Sequence, residues 1–110
     1  GSDMSSSLSP EAAVIPGLSL AASEALLRTL HSSPRVEEVW LYGSRAMGRH
    51  RPGSDVDLTL VGHQLSHPDR LDLMEAIDAL MLPWSVDLSL LAELPADLRA
   101  HVSRVGRRLL

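Results

Sequence analysis

Three stretches of the chain read with the two-residue period of a strand, and three longer ones with the three-to-four spacing of a helix. The first strand is expected over Val36 to Tyr42, with Val39 and Leu41 on one face and Trp40 and Tyr42 on the other. The second runs from Asp55 to Val61. The third runs from Trp84 to Leu90, where Val86, Leu88 and Leu90 alternate with Asp87 and Ser89. Ser19 caps a first helix to about His31, with Leu20, Leu27 and Leu30 beside Ala22 and Leu26 on its buried side, and Ser32-Ser33-Pro34 stops it. Ser66-His67-Pro68-Asp69 opens a second, in the pattern of a capping box. It is expected to reach about Leu82, with Leu71, Met74, Ile77, Leu80 and Met81 as its apolar stripe and Pro83 as its stop. Met74 and Met81 read as core filling rather than as an adaptable partner surface. Leu94-Pro95 begins the last helix, carrying Leu98, Val102 and Val105, and Gly106 closes it. Arg107 to Leu110 is expected as a final short strand.

The order helix, strand, strand, helix, strand, helix predicts an α/β (α+β) fold: a small mixed sheet with helices on one face. The link from Tyr42 to Asp55 is too short for a crossover helix of usual length, so the first two strands should run antiparallel. Ahead of them, Gly1-Ser2-Asp3 has the composition left by a cleaved tag, with Met4 the natural start. Ser9-Pro10-Glu11 can begin a short helix that Pro16-Gly17 ends. Residues 1–17 are thus expected to be loosely attached, and the domain proper to span 18–110.

Composition narrows the picture. Aromatic residues are only 3% of the chain, so Leu, Val and Ala must fill the core. With no cysteine, neither a disulfide nor a thiolate metal site is possible. No apolar run reaches the roughly 20 residues that span a bilayer, and the cytoplasm is the expected location. The net charge of −4 argues against general nucleic-acid binding.

The chemistry concentrates between Leu41 and Leu60. The first strand delivers Gly43-Ser44, and the second opens with Asp55-Val56-Asp57. Alternation puts Asp55 and Asp57 on one face, where two carboxylates repel unless a divalent cation sits between them; hard oxygen donors suit Mg²⁺. Gly43 lets a bulky anion approach the backbone. Ser44 adds a hydroxyl, and a short helix starting there would offer N–H groups to a phosphate. Arg45, Arg49, His50 and Arg51 lie between the glycine and the aspartates, as suits a nucleoside triphosphate with its metal. Either half alone reads equally as a turn or a solvated acidic pair. The two halves on adjacent strands, with cations between, favour the nucleotide. Asp87 stands alone in an otherwise apolar strand, where an unpaired buried carboxylate is costly, and taken by itself reads as facing water on an open sheet.

Gly43-Ser44, ten residues, then Asp55-x-Asp57 resembles the signature of the nucleotidyltransferase superfamily related to DNA polymerase β. The wording Trp40-Leu-Tyr-Gly-Ser-Arg-Ala-x-Gly48 and Pro52-Gly-Ser-Asp-Val-Asp-Leu58 is similar to its minimal nucleotidyltransferase (MNT) branch, commonly the antitoxin of HEPN–MNT toxin–antitoxin pairs. The likeness extends from about Leu18 to the C-terminus. Met47 is a departure, standing where this branch often has arginine; Arg45 and Arg49 remain.

The resemblance implies roles. Asp55, Asp57 and Asp87 hold two Mg²⁺ ions, and Asp87 orients or deprotonates the nucleophile. Gly43, Ser44 and Arg45, with help from Arg49, hold the phosphates of ATP. Attack at the α-phosphorus transfers AMP, and the implied acceptor is a tyrosine of a HEPN ribonuclease toxin. Two alternatives stand beside this: a small-molecule, antibiotic-type nucleotidyltransferase that borrows its acceptor pocket from a partner, and a toxin-binding module without chemistry. His50, His63 and His67 are too loosely spaced to favour zinc. The Arg45-x4-His50 match to the HEPN ribonuclease pattern is a coincidence, since that pattern acts within an all-helical dimer.

Overall fold

The computed structural model describes residues 15–49, 51 and 53–110. Its elements in order are α1 (Leu20–His31), β1 (Glu38–Tyr42), β2 (Val56–Val61), α2 (His67–Asp78), β3 (Val86–Leu90), a 3₁₀ turn (Leu91–Glu93), α3 (Ala96–Val105) and β4 (Arg107–Arg108). The strands form one mixed sheet in the order β3-β2-β1-β4. β1 pairs antiparallel with β2, as the short link predicts, and also with β4, and β2 pairs parallel with β3. Among the described residues no helix is long and apolar enough to cross a membrane.

Alternation sorts the strand residues onto two faces. Val39, Leu41, Val56, Leu58, Leu60, Leu88 and Leu90 are buried on one, against Leu26 and Leu30 of α1 and Leu73 and Ile77 of α2. Leu26 and Leu30 are wholly buried, each stabilising the fold by about 1.5–3 kcal/mol. Ser19 caps α1, its Oγ accepting the Ala22 N–H at 3.1 Å. At the start of α2, the Asp69 carboxylate accepts the Ser66 N–H at 3.0 Å and the Ser66 hydroxyl at 2.9 Å. Arg35 donates to the same carboxylate at 3.2–3.3 Å, tying the segment before β1 to α2.

Four expectations change. Leu20 is largely exposed, so the buried side of α1 is Ala22, Leu26, Leu27 and Leu30. α2 stops at Asp78 instead of Leu82. The Leu80 and Met81 N–H groups bond back only three residues, to Ile77 and Asp78, and Met81 turns left-handed at φ +57°. Met81 consequently points to solvent at 85% exposure, whereas Met74 packs on the core as expected. The N-terminal boundary also moves. Ile15 is fully buried and its N–H donates to Ser23 Oγ at 3.0 Å, so the described residues 15–17 belong to the packed domain. The helix expected near Ser9-Pro10-Glu11 lies outside the described residues.

The fourth change matters most for function. α1 and α2 cover one face of the sheet, but α3 crosses the other. His101 of α3 contacts Gly43 and Tyr42, and Gly106 at its end is pressed against Trp40. The face carrying Tyr42, Asp57 and Asp87 is therefore roofed over β1 and open over β2 and β3.

Candidate active site

Strand pairing assembles the site. The register sets Tyr42 opposite Asp57, and Asp57 opposite Asp87 on the parallel neighbour. Adjacent strands lie about 4.8 Å apart, so the carboxylates of Asp57 and Asp87 stand side by side on the face away from the core. Asp57 is half-buried and Asp87 exposed. Burial pushes the Asp57 carboxyl above its usual range, and the neighbouring charges of Asp87 and Asp55 push it further, against a smaller pull from Arg45. Burial likewise raises the Tyr42 phenol; its bond with the Ser89 hydroxyl opposes this, and Asp57 and Asp87 add to the rise. Asp55 is exposed and sits just ahead of β2 rather than within it.

The chain leaves β1 through Gly43, whose φ of +79° is a left-handed conformation suited to glycine. Space demands glycine as well: a Cβ there would lie 2.5 Å from Asp57 Oδ2. The glycine loop and the acidic strand are thus in direct contact. Residues 44–48 form turns and not the short helix expected at Ser44. The Met47 N–H donates to Gly43 O at 3.2 Å and the Arg49 N–H to Ser44 O at 2.8 Å. Among the described residues, no partner takes the N–H of Ser44, Arg45 or Ala46.

Arg45 differs most from its expected role. Its side chain is 1% exposed, under the loop. Its guanidinium donates to Pro16 O at 2.6 Å, Ser54 O at 2.6 Å and Asp55 O at 3.3 Å. A fork of fixed donors suits three carbonyls from two segments. Arg45 here braces the loop from below, and its donors are engaged where a phosphate contact was expected. Arg49 and Arg51 are exposed on the rim, and His50 lies outside the described residues.

His101 is the residue that sequence reasoning missed. Its Nε2 accepts the Gly43 N–H at 3.3 Å, and its ring stands edge-on to Tyr42 with centroids 6.3 Å apart. The only signal in the sequence was a histidine beside Val102 on the last helix.

Among the described residues no three Asp, Glu or His side chains converge as a preformed metal cage. The donor chemistry nevertheless suits a hard divalent cation. Asp57 and Asp87 offer paired oxygen ligands whose mutual repulsion a cation relieves.

The probable protein adenylyltransferase MntA of Haemophilus influenzae is 37% identical over 68 residues, 61% of this chain. The matched part spans 60% of that relative's length. Among solved structures, the crystal structure of a toxin–antitoxin with AMP-PNP has a chain that superposes with a TM-score of 0.67 at 22% identity, covering 79% of this chain and 71% of that one. The complex of tri-AMPylated Shewanella oneidensis HEPN toxin with MNT antitoxin gives 0.63 at 20% identity, covering 82% and 70%. At these identities the structural likeness speaks for the fold. The family described as Polymerase beta, Nucleotidyltransferase matches residues 24–110, most of the chain and all of the site. The chain belongs to the polymerase β nucleotidyltransferase family.

Proposed function

We propose that this chain is an antitoxin that transfers AMP from ATP to a tyrosine hydroxyl of a HEPN ribonuclease toxin and so neutralises it. The observation that carries the reading is the in-register pair Asp57 and Asp87, set against a left-handed glycine with no room for a side chain. The acceptor class is taken from the relatives: a probable protein adenylyltransferase, and an MNT antitoxin in complex with an AMPylated HEPN toxin.

Asp57 and Asp87, with Asp55 at the head of β2, are the residues that would hold two Mg²⁺ ions. Bound with ATP, Mg²⁺ neutralises the triphosphate and stabilises the attacking and leaving oxygens of an in-line displacement. The chain's own residues do the rest. The N–H groups of Ser44, Arg45 and Ala46 and the Ser44 hydroxyl bind the phosphates, and Arg49 on the rim adds charge. Arg45 works from beneath, holding residues 54–55 and the loop in one frame. Asp87, exposed on the edge strand, takes the proton of the incoming hydroxyl at its carboxylate. The acceptor oxygen bonds to the α-phosphorus as the bond to the bridging oxygen of the β-phosphate breaks, and pyrophosphate leaves. A nucleotide on the toxin's tyrosine adds bulk and negative charge where RNA phosphates must bind.

In this reading the acceptor hydroxyl is presented by a second molecule. Clefts of about 350 Å³ and 290 Å³ lie around Pro83–Val86 and around Gly62–Leu91, and neither is lined by Asp55, Asp57 or Asp87. The test is to mix the protein with a HEPN toxin encoded beside it, ATP and Mg²⁺, and to weigh the toxin intact. A gain of one or more AMP units is expected, and none with Asp57→Asn. A toxin that is neutralised but stays unmodified would make this a binding module without chemistry.

A further inference from the structure

α3 brings to the site a side chain that this mechanism does not use. His101 Nε2 accepts the Gly43 N–H, so that nitrogen carries no hydrogen and Nδ1 bears it. Gly43 is also the residue whose missing side chain makes room for Asp57. One hydrogen bond therefore joins α3, the mouth of the phosphate loop and the contact between that loop and the acidic strand. α3 is otherwise lightly held: of its ten residues only Val102 is buried, and residues 96–100 are all exposed. The edge-on contact of His101 with Tyr42 orients the imidazole toward the glycine.

We infer that His101 is a positioning residue of the donor-nucleotide loop. By accepting the Gly43 N–H it fixes the peptide from which Ser44, Arg45 and Ala46 depart, and so sets their N–H groups before ATP arrives. The inference rests on the nucleotidyltransferase reading for its ligand, but the loop tie itself does not depend on it. His101 does not touch the reacting atoms, so its loss should weaken nucleotide binding and leave the chemical step nearly unchanged. A purely structural role for α3 would instead move stability alone.

The experiment uses two substitutions with opposite chemistry. His101→Phe keeps an aromatic ring against Tyr42 and removes the acceptor; His101→Gln keeps an acceptor and removes the ring. Amide hydrogen exchange at Gly43 is followed by NMR without nucleotide, and ATP affinity and steady-state transfer are measured on the same samples. In His101→Phe, Gly43 exchange should accelerate and KM for ATP should rise, each about tenfold for one lost hydrogen bond, with kcat within about twofold. His101→Gln should restore most of both. Unchanged Gly43 exchange in a folded His101→Phe overturns the loop tie, and a fall in kcat at constant KM overturns the positioning role. If the wild type binds no ATP while Gly43 exchange still follows His101, the tie stands and the donor-site reading falls.

Discussion

Replacing Gly43 by alanine tests the contact on which the site depends. Two costs add. At φ +79° a residue with a Cβ is strained by about 1–2 kcal/mol. The new methyl would also start 2.5 Å from Asp57 Oδ2, far inside ordinary contact, and relieving such overpacking costs about 1–3 kcal/mol. Gly43→Ala should therefore lose about 2–5 kcal/mol in urea unfolding. Gly48→Ala is the control: Gly48 has φ +72° but nothing within 4 Å of its missing Cβ, so only the backbone cost of about 1–2 kcal/mol applies. The difference between the two isolates the Asp57 contact, and removing the carboxylate in Gly43→Ala/Asp57→Ala should recover it. The clash is relieved most easily by moving Asp57. A displacement of about 1 Å at a reacting centre costs about 10²-fold, so AMP transfer should fall by that factor in Gly43→Ala and little in Gly48→Ala. Equal destabilisation in the two single variants, with transfer intact in both, would refute the reasoning.

Arg45→Lys should unfold at least about 3 kcal/mol more easily by chemical denaturation, because one ammonium cannot serve the carbonyls of Pro16, Ser54 and Asp55 together; near-wild-type stability would mean the brace is dispensable. The Asp69 carboxyl is held below its ordinary value first by the Ser66 N–H, then by the Ser66 hydroxyl and Arg35. A lowered folded pKa contributes stability that is present above about pH 4 and is lost as the pH falls through the folded value. Thermal melts from acid to neutral pH should thus show a shallower acid-side slope in Asp69→Asn than in the wild type, and parallel slopes would dismiss the carboxylate as a cap.

The strands and the pairing of Gly43 with the acidic strand were legible because they rest on local alternation and one short link. The whole Gly-Ser-x10-Asp-x-Asp spacing reduces to a hairpin whose two arms meet at Gly43 and Asp57. Three features were not legible, each for a physical reason. The stripe expected on α2 ran through Leu71, Leu80 and Met81, but Leu71 is exposed while Leu73 and Ile77 are buried, and the chain leaves the helix after Asp78, before Leu80 and Met81. Met81, left-handed at φ +57° and exposed, falls outside the helical period. α3 carries apolar residues at helical spacing, yet spacing does not say which side of a sheet a helix crosses. The chain reaches α3 from β3 through the 3₁₀ turn at Leu91–Glu93. Arg45 in a basic loop reads as a surface cation. Its burial depends on carbonyls from Pro16, Ser54 and Asp55, and backbone acceptors leave no mark in a sequence. The same holds for the backbone of Ile15, which packs in the core with its N–H satisfied by Ser23 Oγ.

Asp57 and Asp87 are proposed to catalyse transfer of AMP, and not of another part of ATP, onto a partner protein. The most direct measurement supplies ATP labelled at either the α- or the γ-phosphate, with Mg²⁺ and the HEPN toxin, and follows label into the toxin for the wild type, Asp57→Asn and Asp87→Asn. Label should enter from the α position alone, and both substitutions should abolish it while the protein stays folded. Label entering from the γ position, or α-label that survives Asp57→Asn, would contradict the account.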